Sequence, residues 1–260
     1  MKLSRFAEFI VENEFYNDSL NPLIWKGEEL DPMIRTKLLH IAQDFYEDLD
    51  VDIPILDIQL TGSLANYNWT KYSDLDVHVI MDLSEVNADV ELVKKAMDGV
   101  RVQWNLRHPV VIRGHDVELY AQDINQLHLA SGLYSLQKGD WLRKPVFNPP
   151  SVDPQDVYRK VQAYGVQIAD LKQRLTKANP DESKEILDEA SVLKKKLSRA
   201  RDEKLAHKGG EFSVENLVFK QMRNNGMFGD LIDIKSDAYS RMYSEPYNQK
   251  IKSKDEITEV

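Results

Sequence analysis

Thr61-Gly62-Ser63, and after it Ser73-Asp74-Leu75-Asp76-Val77-His78-Val79, form the stretch from which this chain is best understood. A glycine-serine turn is followed by a ten-residue connection, Leu64 to Ser73, and then by a strand with carboxylates two residues apart. Side chains alternate between the faces of a strand, so Asp74 and Asp76 project to one side and Leu75, Val77 and Val79 to the other. Two like charges side by side repel, and a purely structural strand has little use for them beyond a strand-start cap at Asp74 or a solvent-facing Asp76. A hard divalent cation such as Mg²⁺ turns that repulsion into attraction, because it binds carboxylate oxygens. The preceding Ile55-Leu56-Asp57-Ile58-Gln59-Leu60 is strand-like and runs straight into the turn. Gly62 lets backbone approach a ligand, and Ser63 offers a hydroxyl and an N–H. A helical turn starting near Leu64 would present free N–H groups to an anion such as a triphosphate. A phosphate cradle is thus expected beside a metal site.

At these residues the chain resembles the nucleotidyltransferase superfamily that includes DNA polymerase β, poly(A) polymerases and oligoadenylate synthetases. The shared pattern is Gly-Ser or Gly-Gly, a linker of this length, then Asp-apolar-Asp/Glu-apolar, matched here by Gly62-Ser63 and Asp74-Leu75-Asp76-Val77. The family also needs a third carboxylate on a later strand. In His115-Asp116-Val117-Glu118-Leu119-Tyr120 both Asp116 and Glu118 fit. Glu118 is favoured because it lies mid-strand, whereas Asp116 stands at the strand's start, where turn residues collect. Leu20-Asn21-Pro22-Leu23-Ile24-Trp25, Thr61 to Tyr67, Asp116 to Tyr120 and Gly132-Leu133-Tyr134-Ser135 with Trp141 also resemble the nucleotidyltransferases assigned to large tailed phages. That likeness spans roughly residues 20 to 150.

The resemblance implies a polymerase β-like α+β domain with a mixed or antiparallel sheet, followed by an α-helical domain. It implies a magnesium-dependent transfer of a nucleoside monophosphate from a triphosphate such as ATP to a hydroxyl, with Mn²⁺ as an alternative ion. Asp74, Asp76 and Glu118 would be the metal ligands and catalytic residues, with Gly62 and Ser63 at the phosphates. Lys71 is a candidate phosphate contact, and Tyr67, Trp69 and Tyr72 offer flat faces to a base. Packing of this loop rim on the core explains the aromatics equally well. His78 shares the carboxylate face, about 6–7 Å beyond Asp76, where it orients a carboxylate, touches substrate or packs as an ordinary half-buried histidine.

Composition bounds the rest. The 260 residues are 42% apolar and 30% charged, the profile of a globular protein. No run of about 18 apolar residues is present, so no membrane span is expected. Charged residues interrupt every short apolar stretch of Met1 to Glu8, which argues against a secretory signal. The absence of cysteine removes disulfides and thiolate zinc sites and agrees with a reducing cytoplasm, a host's if the chain is phage-encoded. A net charge of −9 argues against a general nucleic-acid coat protein. From Leu171 to Lys208, however, eleven Lys or Arg face seven Asp or Glu, a local net of +4. This basic stretch makes an RNA 3′ end the first acceptor to consider, although a solvated helix face accounts for it as simply.

Along the chain, Leu3–Glu12 reads as a short amphipathic helix and Asn17–Gly27 as a loop. Asp31-Pro32 caps and opens a helix to about Leu49. Asn87 to Arg107 is helical, and Pro109–Ile112 with Asp116–Ala121 is a hairpin turned by Arg113-Gly114-His115. Leu133–Leu136 and Trp141–Arg143 form a second hairpin. Pro145, Pro149 and Pro150 mark the boundary between a catalytic domain, 1–150, and a helical domain, 151–247, with helices at about 154–177, 181–207, 213–224 and 228–244. Leu217, Phe219, Met222, Phe228, Leu231 and Ile234 are its expected core. Residues 248–260 read as a disordered tail. Two other functions fit the same residues: an inactive relative that binds nucleotide or protein, and a metal-dependent phosphodiesterase or nuclease, in which Gly62-Ser63 would have no role.

Overall fold

The computed structural model describes residues 17–126, 130–147, 152–205, 207 and 210–244. The helix expected at Leu3–Glu12 and the tail 248–260 lie outside them. The chain divides into two compact units. One holds the described residues up to Val157 together with Arg201–Leu217; the other holds Tyr158–Ala200 and the described residues from Val218 onward.

The first unit is built on a six-stranded sheet: β3 (Asp57–Thr61), β4 (Leu75–Met81), β5 (Val111–Ile112), β6 (His115–Asp123), β7 (Leu133–Ser135) and β8 (Asp140–Arg143), in the order β5-β6-β4-β3-β7-β8. β4 and β6 run parallel and every other neighbouring pair is antiparallel, so the sheet is mixed and the architecture α+β. A parallel pair needs a crossover, and α2 (Val90–Arg107) supplies it. α1 (Pro32–Asp48) precedes β3; Asp31 caps it by accepting from the N–H groups of Met33 and Ile34. The stretch read as a loop from Asn17 to Gly27 contains a small strand, β1 (Trp25–Lys26), paired with β2 (Glu29–Leu30). Gly27, at φ 67°, lets that hairpin turn within two residues.

Alternation along β4 decides what each face does. Leu75, Val77 and Val79 are fully buried, and with Val117 and Leu119 of β6 they meet Ile34, Leu38 and Phe45 of α1 and Val93, Met97 and Trp104 of α2. The Phe45 and Trp104 rings meet edge to face, 5.5 Å apart. The opposite face carries Asp76 and His78 of β4 and Glu118 and Tyr120 of β6, all half-buried. Helices thus cover one side of the sheet, and the polar residues collect on the other. β5 covers only the beginning of β6, so Leu119 has no strand partner on that side. The Asn105 amide of α2 completes the ladder there, donating to the Leu119 carbonyl at 3.2 Å and accepting from its N–H at 3.1 Å.

The turn from β5 to β6 is shorter than the sequence suggests. Arg113 and Gly114 both have positive φ, 53° and 85°, as a two-residue hairpin turn requires. His115 is therefore not a turn residue but the first residue of β6, paired with Ile112.

The remaining helices are α3 (Pro154–Leu175), α4 (Pro180–Leu205), α5 (Val214–Asn224) and α6 (Met227–Tyr243). Asn179 and Glu182 form a reciprocal cap at the start of α4: each side chain accepts from the other's backbone N–H, both at 2.9 Å. In the second unit the buried residues include Val161, Ile168, Leu193, Met222, Leu231 and Ile234. Phe219 and Phe228 are only half-buried and lean on each other at 4.6 Å. Leu217 belongs to the first unit. Among the described residues no helix is long and apolar enough to cross a membrane.

Candidate active site

Gly62 ends β3 in a conformation reserved for glycine, with φ 76° and ψ −161°. The need is steric as well as torsional. A Cβ added at Gly62 would lie 1.9 Å from Asp76 Oδ2, so bare backbone lies directly against that carboxylate. The register explains the closeness, because Thr61 is the cross-strand partner of Asp76. The expected helical turn is present as a single 3-10 turn, Ser63–Ala65. It is braced from outside: the Trp25 indole donates to the Leu64 carbonyl at 2.7 Å, and Trp25 stacks on Trp141 at 4.7 Å. Just beyond it, the Asn66 amide donates to Ser131 Oγ and to Glu211 Oε1.

Asp76 and Glu118 are register partners on adjacent parallel strands. Register partners on parallel strands, spaced by about 4.8 Å, project to the same face. Two residues further along each strand, His78 and Tyr120 stack 4.6 Å apart at 14°, which confirms the shared face. The Tyr120 hydroxyl donates to Glu118 Oε2 at 2.5 Å, and the Arg101 guanidinium lies over the Tyr120 ring at 4.8 Å. Burial, then the negative charges of Asp76 and Glu118, push the Tyr120 hydroxyl well above the ordinary tyrosine range, so it stays a donor. His78 Nδ1 bonds Gln122 Oε1 at 2.6 Å, and since that oxygen only accepts, Nδ1 carries the proton. His78 is thus stacked on Tyr120 and bonded to Gln122.

Asp74 is half-buried and lies one residue before β4 rather than within it. Ser73, just ahead of it, joins the segments that meet here: Ser63 Oγ donates to Ser73 Oγ at 2.8 Å, and the Thr70 N–H donates to the same atom at 2.9 Å. Asp116 is exposed and pairs with Val111, whereas Glu118 is the residue opposite Asp76. Lys71 and Tyr72 are exposed in the connecting loop, the ammonium 5.1 Å from the ring centre. Tyr67 and Trp69 pack against the core; the Trp69 indole donates to the Ser19 carbonyl, and Tyr67 meets Phe147 edge to face.

The donor chemistry on this face fits a hard divalent cation: carboxylates on two register-paired residues, and backbone so close to Asp76 Oδ2 that a Cβ would meet it. Among the described residues no three acidic, histidine or cysteine side chains are already gathered into a metal-holding group. Like charges oppose such gathering until a cation compensates them.

Arg101 and Gln122 are neighbours that no motif names, and Tyr120 enters the motif only as a flanking residue. Tyr120 was within reach, since it stands two residues past Glu118 on the same strand face. Arg101 belongs to a helix, and nothing in its local sequence signals the ring that it covers.

No family model matches the chain, and no curated protein matches it. Among solved structures it is similar to a STING-associated CdnE c-di-GMP synthase from Capnocytophaga granulosa. The identity is 11% over 92% of this chain and 94% of that one, with a TM-score of 0.19. A TM-score that low establishes no shared fold.

Proposed function

We propose that this chain is a divalent-metal-dependent nucleotidyltransferase, moving a nucleoside monophosphate from a triphosphate to a hydroxyl and releasing pyrophosphate. The observation that carries the reading is the in-register pair Asp76 and Glu118, with the Gly62 backbone pressed against Asp76. The sequence resemblance to polymerase β-like enzymes, and to those assigned to large tailed phages, points the same way. A nuclease reading gives the glycine-serine corner no role, whereas here that corner is built against the carboxylate.

Asp74, Asp76 and Glu118 would hold Mg²⁺ or Mn²⁺, with Gly62 and Ser63 on the side of the triphosphate. The ion, when bound, supplies Lewis-acid activation of the acceptor and neutralises charge on the leaving group. The acceptor oxygen bonds to the α-phosphorus, the bond from that phosphorus to the bridging oxygen breaks, and pyrophosphate leaves with the electron pair while the hydroxyl proton passes to solvent. The chain's own residues set the geometry: Gly62 leaves room for Asp76, Tyr120 fixes Glu118, and Ser63 is tied to Ser73 beside Asp74. The first acceptor to test is an RNA 3′ end, on the positive stretch from Leu171 to Lys208. The cysteine-free composition makes the reducing cytoplasm the proposed compartment.

The test is incubation with each triphosphate labelled at the α-phosphate, Mg²⁺, and total RNA plus protein from cells. Label should enter one fraction in the wild type and none with Asp76→Asn. Equal results for the two proteins, with no label in RNA, protein or soluble dinucleotide, would establish a binding protein instead. Cleavage of nucleic acid without added triphosphate would establish a nuclease.

A further inference from the structure

Leu20-Asn21-Pro22-Leu23 contains a buried asparagine, and β6 starts with a buried histidine, His115. The two meet. His115 is 3% exposed and Asn21 1%. Asn21 Nδ2 is 3.0 Å from His115 Nε2, and His115 Nδ1 is 2.6 Å from the Ser73 carbonyl oxygen. The proton positions follow from the partners. A carbonyl only accepts, so Nδ1 carries the hydrogen. Asn21 Oδ1 already accepts from the Leu23 N–H at 2.9 Å, which turns the amide nitrogen toward Nε2 and makes Nε2 the acceptor. Both His115 nitrogens are therefore bonded, with the hydrogen on Nδ1 and the tautomer set from the Asn21 side.

The carbonyl it holds matters. That C=O belongs to the peptide bond joining Ser73 to Asp74, and a peptide unit is planar. Fixing the oxygen fixes the plane that carries the Asp74 nitrogen. Ser73 Oγ is meanwhile bonded by Ser63 and by the Thr70 N–H. His115 also begins the strand that bears Glu118. One imidazole thus ties the segment carrying Asp74 to the strand carrying Glu118, just before β4 begins.

We infer that His115 is a positioning residue that sets the Ser73–Asp74 peptide plane, and that Asn21 holds it in the required tautomer. This rests on the reading of Asp74 as a metal ligand. Supporting partners of this kind change metal affinity by about 10–100-fold when removed.

The variants separate the hydrogen bond from the packing. In His115→Asn the side-chain amide nitrogen can replace Nδ1–H toward Ser73. In His115→Leu volume is kept and the donor is gone. Mn²⁺ affinity, measured by titration on folded protein, should fall about 10-fold or more in the leucine variant and stay within about 3-fold of wild type in the asparagine variant. The Asp74 amide resonance should move in the first and hold in the second. Should the leucine variant not fold, ¹⁵N shifts of His115 in the wild type decide: the Nδ1–H tautomer is expected, and the Nε2–H tautomer overturns the inference. Equal Mn²⁺ affinity and an unmoved Asp74 amide in His115→Leu overturn it also. A wild type that binds no Mn²⁺, while its Asp74 amide still depends on the donor, would refute the metal site and leave the positioning role intact.

Discussion

Gly62→Ala tests the proposed site at its tightest point. The added Cβ would meet Asp76 Oδ2 at 1.9 Å and its Cγ at 2.9 Å, whereas real Cβ contacts almost never fall below 3.0 Å. The carboxylate must therefore withdraw by about 1 Å, a displacement that costs on the order of 10²-fold in rate at a reacting centre, equivalent to about 2.7 kcal/mol of barrier. The backbone adds a separate penalty. Alanine at φ 76° and ψ −161° carries strain of about 1–3 kcal/mol, which lowers Tm by roughly 2–4 °C per kcal/mol in a chain of this size. Gly27→Ala is the control, since it has a similar φ of 67° with nothing within 4 Å of the new Cβ. Thermal melts and magnesium-dependent pyrophosphate release on the three proteins separate the two effects. Both variants should melt lower, and only Gly62→Ala should lose turnover. A Gly62→Ala protein with the turnover and magnesium dependence of wild type would refute the placement of Asp76 at the reacting centre.

Asp76→Asn and Glu118→Gln should each lower turnover by about 10²–10³-fold, while metal-free Tm holds or rises because a like-charge neighbour is removed; a parallel fall in Tm would mean that these carboxylates are structural. Tyr120→Phe tests pH dependence. The fold raises the Tyr120 hydroxyl above its ordinary value near 10, so its contribution is complete below about pH 10 and is lost as pH climbs above it. Wild type should lose stability in that alkaline range more steeply than Tyr120→Phe, and matching pH–Tm curves would show that the hydroxyl is not held. The same variant, freeing Glu118, should need about 10-fold more Mg²⁺ for half-maximal turnover. Trp25→Phe leaves the Leu64 carbonyl without its indole donor, at about 1–3 kcal/mol; it should raise KM for the triphosphate along with lowering Tm, and a KM equal to wild type would detach the 3-10 turn from substrate binding.

Much of the fold was legible locally. Asp31-Pro32 caps and starts α1 as the pattern implies, because capping is decided within one helical turn. The alternation of Leu75, Asp76, Val77 and His78 names a strand with one apolar face, because period two is a property of the strand itself. Where neighbours decide, the sequence pattern stops short. The segment around Trp25 reads as a loop, yet it pairs with Glu29–Leu30. His115 looks like a turn residue, yet two consecutive positive φ angles at Arg113 and Gly114 place it in the strand.

Sequence alone therefore determined the kinds of group present and their order: a glycine-serine corner, two aspartates two residues apart, and a glutamate on a later strand. Spacing in sequence controls which face a side chain takes, and that much is local physics. Tertiary structure decided that Glu118, which the sequence favours over Asp116, stands opposite Asp76, that Gly62 lies against that same carboxylate, and that Tyr120, His78 and Arg101 stack into one group. Those facts depend on the parallel register of β4 and β6 across an intervening helix, and register over such a distance is set by how two apolar strand faces pack on α1 and α2.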